Sequence, residues 1–440
     1  MMNKNVCMFV WNHFTNDARV LRECTALSEK DYKVDLICIH DPKDTELPMY
    51  EERNENFRVF RVRRYPVMLQ LMQKAYRFFM KNKVIGALAF VLWLLCMYAS
   101  PVIVGALSIL AFTLLKTKVR VAWIRGSIIL RMILRGYQKK YSIYHSNDLN
   151  TLPQGYICSK LRLNKKKLIY DSHEVQTSRT GYESAYHGKL EKFLITRIDS
   201  MIVENHTRAQ YNDDLYGFYP SVVHNYPFKQ KGKQHLEKAP LHEILGLPKD
   251  EKILLYQGGI QTGRGLENLV QAAPLFNEGT LVFVGDGKIK PQLEKQVKEM
   301  GLEEKVKFIP KVPLNELPRY TSNGYIGFQV LNNVCFNHYS ASSNKLFEYM
   351  MSGVPVVACS FPEIQKVVEN EEIGICVDSH DHKSIAEGVN HLLNNPELHQ
   401  QMAANCHTSK LNYNWEEEKI SLLDAYQQTY QKGVKMVEIK

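Results

Sequence analysis

Short apolar runs alternate with stretches of helical periodicity along most of this chain. Residues 6–10, Val-Cys-Met-Phe-Val, read as a buried strand. Residues 12–17 then supply turn and helix-capping side chains, 18–27 place apolar positions at helical spacing, and 34–39 return as a strand. That is one βαβ unit. The rhythm resumes at 142–145, 168–170 and 201–203. It becomes regular in the second half, with strands predicted at 253–256, 281–284, 306–309, 325–330, 354–358 and 374–377. Helices are predicted between and after them, at 266–275, 291–300, 314–320, 343–351, 362–369 and 382–393. Such alternation makes parallel, doubly wound sheets, so the expected fold class is α/β with two Rossmann-like domains, whose ligands bind at the carboxyl ends of the strands.

One stretch breaks the pattern. Residues 84–115 are 32 positions without a charged side chain, interrupted by Pro101. A single membrane span needs about 20 residues and a full hairpin about 40, so this length suits a helix, proline break and helix dipping into one leaflet. Lys74, Arg77, Lys81 and Lys83 precede it, and Lys116, Lys118, Arg120, Arg125, Arg131, Arg135, Lys139 and Lys140 follow. Basic residues at both ends place both ends on the cytoplasmic side, and residues 122–134 read as an interfacial helix on anionic lipid. The alternative is a buried core hairpin. The expected organisation is therefore an N-terminal domain over 1–227 with a hydrophobic and basic insertion at 66–140. A polar linker at 228–240, a C-terminal domain at 241–412 and a terminal helix at 413–440 that returns to the N-terminal domain complete it.

Composition narrows this picture. The chain has 440 residues and 45% apolar content, enough for two cored domains. Nine scattered cysteines without a Cys-x-x-Cys pair predict reduced thiols and no structural zinc. The start lacks the order of a signal peptide, so the N-terminal domain is expected in the cytosol. A formal charge of +10 favours an anionic partner. Its basic residues concentrate beside the uncharged segment, which fits an anionic membrane surface rather than nucleic acid. The expected location is the cytoplasmic face of the cell membrane, peripheral or monotopic.

Candidate chemistry sits at the carboxyl ends of the predicted strands. Gly258-Gly259 and the loop to Gly265 let backbone N–H groups approach a phosphate at a helix start, with Arg264 as a forked donor. A second glycine turn, Gly285-Asp286-Gly287, follows the next strand. Together they outline a diphosphate site. No Gly-x-Gly-x-x-Gly follows the opening strand of either domain, so the dinucleotide oxidoreductase fingerprint is missing. In 342–357, serines cap a helix on which Lys345 and Glu348 share a face, Glu348 being able to accept both hydroxyls of a ribose. No Asp-x-Asp motif appears, so neither a metal nor a cofactor is called for.

These residues, with Asn16 to Glu23, His145 to Pro153 and Tyr170-Asp171-Ser172-His173-Glu174, resemble the GT-B fold glycosyltransferases of family 4. The resemblance implies retaining transfer of a sugar from a nucleotide diphosphate sugar to an acceptor. His173, Arg264 and Glu348 would be the catalytic set. Gly258, Gly259, Gly285, Gly287, Ile309, Lys345 and Leu346 would join Arg264 and Glu348 around the donor, and Asn16, Asp148 and Glu174 would lie on the acceptor side. His173 matches the histidine that contacts the transferred sugar. The donor is expected to be metal-independent and the acceptor lipid-linked or a glycan, in surface polysaccharide or glycolipid synthesis. Two departures stand out. The family's glutamate eight positions before Glu348 is here Ser340, and no basic residue precedes Arg264 at Gly259-Ile260, so Lys345 is left to supply that charge. An inactive membrane-anchored partner with the same fold, or a nucleotide-sugar epimerase, are the alternatives.

Overall fold

A computed structural model describes residues 4–15, 17–178, 185–229 and 237–431. Among these, residues 4–171, 193–201 and 429–431 form one compact unit, and 172–192 and 202–428 form another. The expected Asn16 site and most of the expected linker lie outside the described residues.

The first sheet contains β1 (Asn5–Phe9), β2 (Lys33–Ile39), β3 (Tyr50–Asn54), β4 (Phe57–Val62), β5 (Ile143–Asn147), β6 (Lys167–Ser172), β7 (Ser200–Val203) and β8 (Ser221–Val222). Its order is β3-β4-β2-β1-β5-β6-β7-β8. β3 pairs antiparallel with β4, an edge hairpin that the sequence reading missed. Its strand β3, Tyr-Glu-Glu-Arg-Asn, is mostly exposed and has no apolar alternation to reveal it. Helix α1 (Ala18–Glu29) starts where the Asp17 carboxylate accepts from the Val20 N–H at 3.1 Å.

The second sheet contains β9 (Ile253–Gln257), β10 (Thr280–Val284), β11 (Val306–Ile309), β12 (Gly324–Gln329), β13 (Val356–Cys359) and β14 (Gly374–Val377), all parallel. Their order, β11-β10-β9-β12-β13-β14, reverses direction between β9 and β12. In such sheets the crevice for a ligand opens at that reversal, outside the carboxyl ends. Continuous apolar strands such as Ile-Leu-Leu-Tyr-Gln, buried throughout, are what a sheet covered on both faces demands.

Between β4 and β5 run α2 (Val67–Lys81), α3 (Lys83–Ala99), α4 (Pro101–Lys116) and α5 (Val119–Tyr137). Pro101 occupies the first turn of α4, where its missing N–H costs nothing, so it separates two helices rather than breaking one. Trp93 Nε1 donates to Ser108 Oγ at 2.9 Å and ties α3 to α4. Neither helix buries a single side chain, and Tyr98 and Val102 near the turn are 92% and 82% exposed. No single helix among the described residues is long and apolar enough to cross a membrane. The expected interfacial helix over 122–134 falls within α5, which leaves Leu130 and Leu134 exposed. Its Ile128, Met132 and Gly136 are buried, at the i, i+4, i+8 spacing of one helix face. A Cβ at Gly136 would come within 2.8 Å of the Phe9 ring, so α5 lies tightly on the first sheet.

The shared motif residues of the first unit form a buried ion network. Arg19 Nη2 lies 2.9 Å from Asp171 Oδ1, its Nε lies 3.0 Å from Glu23 Oε1, and His145 Nε2 stands 3.7–3.8 Å from the same two carboxyl groups. The guanidinium thus bridges the two carboxylates and fixes α1 to β6, so this motif serves the architecture of its unit.

Candidate functional site

The loop after β9 and the loop after β10 are woven together by backbone. Gly258 N–H donates to Val284 at 2.9 Å, Ile260 N–H to Asp286 at 3.0 Å and Gly285 N–H to Ile309 at 3.0 Å. Gly258, Gly259, Gly285, Gly287 and Ile309 therefore share one corner of the second sheet. Glycine is required there by contact: a Cβ on Gly287 would lie 2.0 Å from the Ile260 carbonyl oxygen.

Behind this corner stands Tyr256, whose hydroxyl donates to the Gly259 carbonyl at 2.9 Å. Lys345 Nζ donates to that hydroxyl at 3.2 Å and lies 4.4 Å from the ring centroid. Lys345 is buried, and burial pushes its ammonium down to about 7, with Arg264 adding to the effect and Glu348 opposing it. Arg264 and Glu348 themselves are half-buried. Gln257 holds Glu348: its Nε2 donates to Glu348 Oε2 at 2.7 Å, while its Oε1 accepts from Thr321 Oγ1 at 2.6 Å. The Gln257 backbone N–H in turn donates to Tyr349 Oη at 3.1 Å. The helix Asn344–Met351 thus presents one cation and one carboxylate, both oriented by residues at the end of β9.

Leu346 departs from its expected role. Its side chain is buried in the core with Leu255 and Ile309, so it contributes no side-chain surface to a donor. Tyr256, Gln257 and Thr321 were missed by sequence reading because they look like ordinary strand-end and helix residues; only the tertiary hydrogen bonds reveal their task.

His173 and Glu174 lie in the same unit, on the loop after β6. That loop is clamped by Val175 and Asn337, which exchange hydrogen bonds of 2.7 and 3.0 Å. Arg208 completes the clamp by donating to the His173 carbonyl, to Ser340 Oγ at 3.2 Å and to the Asn337 carbonyl at 3.3 Å. Ser340 is fully buried, and its hydroxyl donates to the Phe336 carbonyl at 2.8 Å. The position that carries the family's glutamate therefore serves the packing of the loop here. His338, two residues earlier, donates from Nδ1 to the Asn332 carbonyl, 3.1 Å away. Burial lowers its pKa, with Arg264 acting in the same sense and Glu174 in the opposite one. His338 thus stands in the fields of both Glu174 and Arg264, a link no motif announced. Asp148 lies in the other unit, in a left-handed turn after β5, its N–H donating to the Asp171 carbonyl at 2.8 Å.

The fold is that of a known class. The chain superimposes with a TM-score of 0.70 on sucrose-phosphate synthase from Thermosynechococcus elongatus, at 17% identity and covering 97% of this chain and 99% of that one. With the Anabaena protein HepE in complex with UDP and glucose the TM-score is 0.66 at 14% identity, covering 96% and 99%. This is the two-domain α/β fold of the GT-B type.

Within it, residues 237–408 match the family model of glycosyl transferases group 1. The D-inositol 3-phosphate glycosyltransferase of Xylanimonas cellulosilytica is 28% identical over 196 residues, 43% of this chain and 46% of that one. The matched part spans less than half the length of that relative. The family-model match over 237–408 holds the Gly258–Gly287 corner, Arg264, Lys345 and Glu348.

The depressed Lys345 gives a direct test. In the free protein at pH 8 most Lys345 is neutral, whereas a bound diphosphate favours the charged form. Binding of a nucleotide sugar, whose diphosphate has no group titrating between pH 5.5 and 8, is expected to take up about one proton at pH 8 and almost none at pH 5.5. Calorimetry in two buffers of different ionisation enthalpy reads this; pH-independent binding without proton uptake would remove Lys345 from the diphosphate.

Proposed function

We propose that the chain is a retaining glycosyltransferase. It moves a sugar from a nucleotide diphosphate sugar to a lipid-linked or glycan acceptor at the cytoplasmic membrane face, in surface polysaccharide or glycolipid synthesis. The observation that carries this reading is the cluster of Arg264, Lys345 and Glu348 around Tyr256 at the reversal point of the second sheet, inside the segment matched to group 1 glycosyl transferases. The presence of UDP and glucose on HepE, a neighbour of the same fold, supports a nucleotide-sugar donor.

In this mechanism Glu348, braced by Gln257, accepts from the ribose hydroxyls. Arg264 and Lys345 face the diphosphate and stabilise the charge that grows on it as the sugar leaves, with backbone N–H groups of the glycine corner. Two protein cations supply this without calling on a metal ion. The clamped loop holds His173 toward the transferred sugar, and Glu174 and Asp148 serve the acceptor side.

Membrane association rests on α3 and α4, which bury nothing and expose Phe90, Leu92, Leu107 and Phe112 beside Lys81, Lys83, Lys116 and Lys118. Each helix is about 25 Å long, shorter than the ~30 Å hydrocarbon core, which suits a hairpin dipping from one side. Leu92→Asp with Leu107→Asp is expected to abolish flotation with anionic vesicles; retained flotation would sink the membrane reading.

The activity is tested by offering UDP-, GDP-, dTDP- and ADP-sugars with membrane lipid extract to detergent-purified protein. Release of one nucleotide that depends on the extract is expected. The buried, hydrogen-bonded Ser340 favours a second reading, an inactive partner protein, because it offers no carboxylate to the donor sugar. Binding of a donor with no release from any member of the panel would move the assignment there.

A further inference from the structure

The first unit holds a cavity that shares no lining residue with the glycine corner, Arg264, Lys345 or Glu348. It measures ≈ 610 Å³ and opens where β1, β2 and β4 end. Trp11 and His13 reach it from the segment after β1, Arg64 from the segment after β4, Gln73 from α2, and Arg120 and Arg125 from α5. The carboxyl edge of adjacent parallel strands is where open α/β sheets bind ligands.

Its charge is one-sided. Three guanidinium groups line it and no Asp or Glu does. Asp41 senses Arg64 and His13 but is not part of the lining. Arg64 leans toward the Tyr65 ring at 5.7 Å, Arg120 donates to the Leu115 carbonyl at 3.2 Å, and neither forms an ion pair with a described residue. Arginines gathered around one open cavity make its potential positive, and their forked donors match phosphate oxygens.

A second cavity of ≈ 210 Å³ shares Gln73 and Arg120 with the first and adds Arg77 and Lys116. Lys116 ends α4, so the basic lining continues to the foot of the exposed apolar hairpin. A ligand with a phosphate head and a long apolar tail fits that sequence of surfaces: the head in the cavity, the tail beside α3 and α4.

We propose that this cavity binds the phosphate or diphosphate head of a membrane-anchored lipid, and that this lipid is the carrier of the acceptor sugar. The second half of this statement rests on the glycosyltransferase reading; the first does not. A free phosphate compound or a bulk phospholipid headgroup offers the same oxygens, and the experiment separates these sources.

The full chain in neutral detergent is titrated with farnesyl diphosphate, inorganic diphosphate and farnesol, for the wild type and for Arg64→Gln/Arg120→Gln/Arg125→Gln. All three arginines are exposed, and unchanged UDP binding checks that the variant is folded. Farnesyl diphosphate is expected to bind the wild type most tightly, and the variant at least about tenfold more weakly, the loss of a single charge-assisted contact. Equal affinity of variant and wild type overturns the site. Inorganic diphosphate binding as tightly as farnesyl diphosphate overturns the lipid as its ligand. Loss of flotation on phosphatidylglycerol vesicles with farnesyl diphosphate affinity unchanged assigns the arginines to bulk headgroups and likewise overturns it. Farnesyl diphosphate binding by a protein that turns over no sugar donor upholds the site and removes the transferase reading instead.

Discussion

Replacing Glu348 by Gln is expected to lower kcat/KM for the nucleotide sugar by roughly 10²–10⁴-fold while the protein stays folded. Two charge-assisted hydrogen bonds to ribose hydroxyls, at about 1.5–3 kcal/mol each, set that range. Gln keeps the shape of the side chain and so isolates the charge. It also disturbs the contact at 2.7 Å from Gln257 Nε2, which has to find its acceptor in an amide oxygen. Because Glu348 is half-buried and carries no packing load comparable to Leu346 or Tyr349, the denaturation midpoint should move little. Steady-state kinetics together with nucleotide affinity decide the matter. Turnover and affinity both unchanged would exclude Glu348 from the donor site.

Gly285→Ala is expected to be strongly disruptive to the second unit. A Cβ there would sit 2.0 Å from the Gly258 carbonyl oxygen, and that oxygen is backbone in a loop already pinned by the Gly258-to-Val284 hydrogen bond. The two glycine turns must separate. Overpacking of this kind costs about 1–3 kcal/mol and a strained backbone about as much again, so a loss of roughly 2–6 kcal/mol is expected. Donor binding should fail with it, since the moved segments carry the N–H groups aimed at the diphosphate. Gly301→Ala is the control. It too has a positive φ, +65°, but its Cβ meets nothing within 4 Å, so it should cost only the ~1–2 kcal/mol of the left-handed conformation and leave nucleotide binding intact. Chemical denaturation and nucleotide titration of both variants make the comparison. Equal effects would show that backbone strain, not the contact between the two turns, dominates at Gly285.

Much of the second sheet was legible because its strands are continuous apolar runs and its helices have apolar stripes. The glycine turns were legible because close backbone approach leaves only one residue type. The edge strand β3 escaped notice because an exposed strand needs no apolar pattern. In residues 122–134, read as an interfacial helix, α5 buries Ile128 and Met132 on the first sheet and leaves Leu130 and Leu134 exposed. Apolar positions three and four apart report that a helix has a greasy face, not what that face meets.

Local chemistry along the chain therefore determined the α/β rhythm, the proline-separated apolar hairpin and the motif positions Arg264, Lys345 and Glu348. Each follows from neighbours in sequence: periodicity, helix spacing and the steric freedom of glycine. Only the tertiary structure decided that Gln257 and Thr321 brace Glu348, that Tyr256 seats Lys345, and that Ser340 belongs to the Arg208 clamp. It alone gathered Arg64, Arg120 and Arg125 around one cavity. Arg208 and Ser340 are 132 positions apart, and Arg64 and Arg120 are 56 apart. Hydrogen-bond direction and desolvation act over a few ångströms of space, and a linear pattern carries no record of which distant residues that space will hold.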